Sequence, residues 1–151
     1  MSTQPQPDDT EAFPAVESLI PHGPPMRRID AITAWDGETL VCSLEVRDDD
    51  PFADDGAVPA SACLEYIAQA CAVHASLRRE GGAQQPGYLM GCRQLELLVD
   101  GLAVGDRLQI TVRETGEIGG AAMFEGRVAR GEEPVARGVL SVILGAEARA
   151  S

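Results

Sequence analysis

The sequence predicts an α+β domain in which one antiparallel sheet wraps a long central helix. Three observations predict it. The stretch from Val58 through Ala72 is made of small and apolar residues nearly all round, the pattern of a buried helix. Two strand-like segments precede that stretch and three or four follow it. Short Gly-containing turns separate them, which favours antiparallel pairing.

Taken in order, Met1 to Thr10 is polar, Pro-rich and acidic. It lacks the basic-then-apolar order of a signal peptide, so residues 1–12 are expected to form a disordered tail on a cytoplasmic protein. Phe13 to Ile20 can form a short helix, with Pro14 in its first turn. Pro21-His22-Gly23-Pro24-Pro25 breaks it. Met26 to Trp35 reads as a strand ended by the Asp36-Gly37 turn signal. In Thr39 to Val46, Leu40, Cys42, Leu44 and Val46 share one face, completing a hairpin. Asp48-Asp49-Asp50-Pro51 stops that strand, and Phe52 to Ala57 is a loop. The long helix begins near Pro59, a residue tolerated at the first helical position, runs to about Arg79 and stops at Gly81-Gly82. Strands are predicted over Gly87 to Val99, Arg107 to Glu114, Ala121 to Ala129 and Pro134 to Leu144. Their turns fall at Asp100-Gly101, at Gly116 with Gly119-Gly120, and at Arg130-Gly131. The 151 residues suit one domain with a real core, placed at 13–145 with a C-terminal tail over 146–151.

Composition excludes several function classes. The formal net charge is −12 and the pI about 4.4. Nucleic acid needs clustered Lys and Arg, and an anionic membrane surface is disfavoured for the same reason. No apolar run approaches the ~18 residues of a membrane span. Cys42, Cys63, Cys71 and Cys92 form no CxxC pair, and only two His are present, which argues against a zinc site. The cysteines read as free thiols in a reducing compartment.

Three segments resemble a known family. Leu19-Ile20-Pro21-His22-Gly23-Pro24-Pro25-Met26-Arg27-Arg28-Ile29-Asp30 resembles the first strand of the 3-hydroxyacyl-(acyl-carrier-protein) dehydratases of the hotdog superfamily. Pro59 to Gln69 resembles their P-G-V-L-x-x-E-x-x-A-Q helix. Gly91 and Val104-Gly105-Asp106 resemble a later strand and turn. The likeness spans roughly Phe13 to Leu144. The Pro-His-x-Pro-Pro-Met form is most similar to the divergent dehydratase-like branch of aryl polyene pigment clusters. One departure matters. The family places a catalytic His in a G-H-F-P-G loop before the helix. Here the matching stretch, Pro51 to Pro59, is shorter by about five residues and holds no His.

The resemblance implies a hotdog fold, an α+β arrangement whose open sheet edge is covered by dimerising with a like or unlike hotdog protein. It implies an acyl carrier protein bearing a phosphopantetheine-linked substrate as partner, and no metal or organic cofactor. Dehydrating a 3-hydroxyacyl thioester needs a base for the α-proton, an acid for the leaving hydroxyl, and donors for the charge on the thioester oxygen. Glu65, a carboxylate in an apolar helix, is the candidate acid; burial would raise its pKa. A buried carboxylate satisfied by backbone or partner is the structural alternative. The N–H groups of Ala60 and Ser61 at the helix start are candidate oxyanion donors. Gln69, one turn after Glu65, is placed to orient it. Gly91 either admits the acyl chain close to the backbone or marks a bulge.

His22 is the candidate base, since its ordinary pKa suits the task; ordinary family members carry a His here beside their catalytic one, where it is structural. His74 follows Glu65 by nine residues, which puts it on the opposite helix face and ~13.5 Å along the axis. It therefore reads as packing or surface. Tyr66 reads as core. Asp54 and Asp55 read as turn residues. Carrier proteins are acidic, so docking needs a basic patch; Arg78 and Arg79 serve either that or the helix end. Two other functions fit the same residues. One is a non-catalytic dehydratase-like subunit that pairs with an active relative. The other is a hotdog thioesterase.

Overall fold

The computed structural model describes residues 29–78 and 87–144. In chain order these form β1 (Ala31–Trp35), β2 (Thr39–Glu45), β3 (Ala57–Pro59), a 3-10 turn (Ala60–Ala62), α1 (Cys63–Arg78), β4 (Gly87–Leu97), β5 (Gly101–Ala103), β6 (Arg107–Ile118), β7 (Ala121–Arg130) and β8 (Glu133–Leu144). Six strands make one antiparallel sheet in the order β1-β2-β6-β7-β8-β4, while β3 and β5 pair as a separate ribbon. One curved sheet on one helix is the predicted α+β, hotdog arrangement.

Alternation along each strand builds the core. Leu40, Cys42 and Leu44 of β2, Leu108, Ile110 and Val112 of β6, Phe124 and Val128 of β7, and Ala136, Leu140 and Val142 of β8 are all buried. They face Tyr66, Ile67, Ala70, Cys71, Val73 and His74 of α1, each fully enclosed. Full burial of each large apolar side chain contributes about 1.5–3 kcal/mol. The helix lies close to the sheet at one point. A Cβ added to Gly126 of β7 would stand 2.4 Å from Cγ2 of Ile67, so only glycine permits that approach. Burial pushes the Cys42 and Cys63 thiols up to about 12 and holds Cys71 well above its ordinary value. They pack as small hydrophobes.

Several boundaries differ from expectation. A loop is predicted over Phe52 to Ala57 and a turn at Asp100-Gly101, yet Ala57 opens β3 and Gly101 opens β5. Three-residue strands are too short for alternation to register. Gly116 is predicted in a turn but lies inside β6, beside a bulge between Glu114 and Gly116. The turn itself is Gly119-Gly120, both at positive φ, as a two-residue hairpin loop requires. The α-helix starts at Cys63, not near Pro59. Pro59 is extended (φ −65°, ψ 149°) and the chain enters through a 3-10 turn, because Pro59 is still paired to Gly101 in the ribbon. Of the predicted strand Met26 to Trp35, residues 31–35 are strand and 29–30 are not. Residues 26–28, the predicted helix Phe13 to Ile20, His22 and the Gly81-Gly82 stop lie outside the described residues.

Candidate active site

The helix supplies the site. Its C-terminal half, Gln69 through Ser76, is buried without interruption, whereas in its N-terminal half Leu64, Glu65 and Ala68 are only half-buried and Ser61 just before it is exposed. These positions fall on one stripe by the i, i+3, i+4 rule. The helix is therefore open along the stripe where its single carboxylate stands, and again at half-buried Leu77 near its end. Glu65 is part-exposed, not enclosed as expected from the apolar pattern around it. Its Oε2 accepts a 2.9 Å hydrogen bond from Nε2 of Gln69, and Gln69 is itself 1% exposed. A buried amide on a packed helix face holds the carboxylate in one orientation.

The chain enters this helix through Ala60 and Ser61. No side chain caps the start of the turn, so the first N–H groups have no intrahelical acceptor and sit at the positive end of the helix dipole. Ala60 is buried and Ser61 exposed. Ala60, Ser61, Glu65 and Gln69 thus belong to two successive turns of one element. Gly91 does not join them. It lies at a bulge of β4 opposite Ser141, and a Cβ there would meet Ser141 Oγ at an ordinary 3.7 Å. Ser141 alternates with the buried Leu140 and Val142, so this position is directed to the face of the sheet away from the helix.

His74 packs, as its spacing from Glu65 predicts. Its Nε2–H donates to the Glu38 carbonyl at 2.7 Å. Its ring meets Trp35 and Phe124 edge-on, with centroids 4.6 and 5.1 Å away. Asp54 and Asp55 are exposed turn residues; Asp55 has φ +57°, and the Asp54 N–H donates to the Ala57 carbonyl at 2.8 Å.

The structure adds a pair that the sequence does not announce. Asp50 is 4% exposed and Tyr66 fully buried. The Tyr66 hydroxyl donates to Asp50 Oδ2, and the Phe52 N–H donates to Oδ1, both at 2.8 Å. The loop from Asp50 onward is thereby tied to the helix one residue past Glu65. The one available signal was Tyr66 itself, since a tyrosine inside an apolar helix needs a polar partner for its hydroxyl. Among the described residues no group of His, Cys, Asp and Glu side chains is arranged to hold a metal ion. Among them too, no helix is long and apolar enough to cross a membrane.

A family profile described as ApeP dehydratase, ApeP-like, matches residues 14–150. The chain belongs to the ApeP-like dehydratase family. Solved structures agree on the fold. The dehydratase heterocomplex ApeI:P from Xenorhabdus doucetiae superposes with a TM-score of 0.80 at 24% identity, covering 87% of this chain and 91% of that one. An uncharacterized protein from Pyrococcus horikoshii gives 0.61 at 17% identity over 87% and 94%. A mutant thioesterase from Pseudomonas aeruginosa gives 0.60 at 17% over 76% and 80%. No curated protein matches significantly. The ApeP-like chain is a dehydratase-like protein of the hotdog fold, the fold class its sequence predicts.

Proposed function

We propose that this chain acts on 3-hydroxyacyl thioesters of acyl carrier protein, removing water to give the 2-enoyl thioester. The observation that carries the reading is the oriented Glu65 carboxylate, held by Gln69 on the open stripe of the helix, one turn beyond the N–H groups of Ala60 and Ser61 at the helix start. In this reading Glu65 is the general acid: a proton passes from it to the departing β-hydroxyl, and the C–O bond breaks as water leaves. The base, His22, takes the α-proton, and the C–H electron pair becomes the new double bond. The Ala60 and Ser61 N–H groups hold the negative charge that develops on the thioester oxygen. Gln69 positions Glu65. Gly91, directed away from the helix, has no part.

A second reading has an observation of its own. The loop before the helix lacks the family's His, and the structural neighbour with a TM-score of 0.80 is a dehydratase heterocomplex. On that reading the chain pairs with an active hotdog dehydratase, and the dyad is completed across the interface or lies wholly in the partner. Dimerisation, with a like or an unlike hotdog chain, belongs to both readings.

Intact mass spectrometry of a 3-hydroxyacyl carrier protein incubated with this protein alone decides. Loss of one water supports a self-sufficient dehydratase. An unchanged mass, with water lost once a second hotdog dehydratase is added, supports the paired subunit. Loss of the whole acyl group refutes both and makes the protein a thioesterase.

A further inference from the structure

The outer face of the sheet carries a charge pattern that the helix site does not use. Ile110, Val112, Phe124, Val128, Ala136 and Leu140 are buried toward the helix, so the residues between them face outward. Register sets these in two cross-strand rows. One runs Thr111, Arg127, Arg137, Glu96, and the next contains Arg113, Glu125 and Arg93. A groove of about 830 Å³ lies over the first row, with Arg113 and Glu125 also in its wall. Both carboxylates are taken. Arg113 Nη2 bonds Glu125 Oε1 at 2.9 Å, and Arg137 is ion-paired with Glu96. Arg127 is exposed, stands directly opposite Arg137 across β7 and β8, and makes no ion pair among the described residues.

Like charges directly opposite in a sheet are destabilising. Here four arginines meet three carboxylates, Glu125 and Glu38 on Arg113 and Glu96 on Arg137, on a chain whose formal net charge is −12. All twelve basic residues of the chain are arginine and none is lysine. Arginine is the side chain that grips carboxylates bidentately and the charged one enriched in protein interfaces. Glutamates inside the groove would repel a free polyphosphate but alternate well with a protein surface that is acidic and not uniformly so.

We propose that this arginine groove is the docking face for an acidic protein surface, and that the partner is the acyl carrier protein. The identity of the partner rests on the proposed function; the groove and its charge do not. The test is the affinity of purified, fluorescently labelled holo acyl carrier protein for the full chain, read by anisotropy at rising salt. Arg127→Glu is the informative variant, because a glutamate there faces Arg137 in a favourable cross-strand pair and the fold is retained. Arg107→Glu, an equal change of charge outside the groove, is the control.

The proposal expects at least a tenfold loss of affinity for Arg127→Glu, less than twofold for Arg107→Glu, and wild-type binding that weakens with salt. Equal losses for the two variants would overturn it, since total charge alone would then explain binding. So would binding unaffected by Arg127→Glu, or no binding of the carrier protein at all. The proposed function is tested apart from this on 3-hydroxyacyl pantetheine, a thioester with no carrier surface. Water lost from that compound while Arg127→Glu leaves carrier binding intact would remove the groove and spare the chemistry.

Discussion

Glu65 and Tyr66 are neighbours in sequence and opposites in role. Glu65 presents a carboxylate on the open stripe of the helix, and its replacement should touch chemistry alone. Glu65→Gln keeps the shape and a bonding partner for Gln69 but has no proton to give. Turnover of a 3-hydroxyacyl carrier protein should fall by about 10²–10⁴-fold, the range for a general acid. The urea midpoint should stay close to wild type. Full activity in that variant would remove Glu65 from the mechanism. Tyr66→Phe should do the reverse in stability. It removes the tyrosine's hydrogen bond to the buried Asp50 Oδ2, at a cost of about 1–3 kcal/mol, visible as a lower midpoint with an unchanged m-value. Asp50 itself was hidden in the run Asp48-Asp49-Asp50. Three adjacent carboxylates read alike in sequence, and only the fold decides which one turns inward to meet a tyrosine sixteen residues away.

At the scale of elements, the long helix was legible from its unbroken run of small and apolar residues, and the six sheet strands from their strand-like runs and the turn signals between them. The ribbon of β3 and β5 was not, because its pairing is a tertiary event between two three-residue segments. It also moved the helix start, since Pro59 belongs to the ribbon before it belongs to the helix. The contact between α1 and β7 gives a sharp test. Gly126→Ala inserts a methyl group 2.4 Å from Ile67 Cγ2, and overpacking of this kind costs about 1–3 kcal/mol. Adding Ile67→Ala removes the clashing methyl, so the double variant should lose less stability than the two single losses added together. Strict additivity in that thermodynamic cycle would contradict the close approach.

For the molecule as a whole, the fold and family were legible from motifs spread along the chain, whereas His22 as the base rests on the sequence alone. His22 lies outside the described residues, and the shortened loop supplies no replacement among Pro51 to Pro59. Charge acts at the same scale. Hydrogen bonds from the Ala103 N–H, and then the Arg130 guanidinium, hold the Asp106 carboxyl below its ordinary value of 3.8. A carboxyl with a depressed folded pKa gives its stabilisation in full above the unfolded value and loses it as pH falls through the folded one. The stability gap between wild type and Asp106→Asn should therefore be level from pH 7 to about 5 and should close as pH drops below 3.8. Chemical denaturation at a series of pH values measures it. A gap that widened on acidification would reverse the sign of the argument.

The burial of the thiols has a practical corollary. Cys42, Cys63 and Cys71 are sealed between sheet and helix, and only Cys92, on β4, is partly reachable from solvent. β4 is an end strand of the sheet, the kind of place where another chain's strand would be added. Among the described cysteines, maleimide chemistry on the native protein is thus confined to one address, and that address lies on an end strand of the sheet. On the proposed pairing with a second hotdog chain over this edge, a dye placed there would act as a built-in gauge of assembly, with no engineered cysteine required.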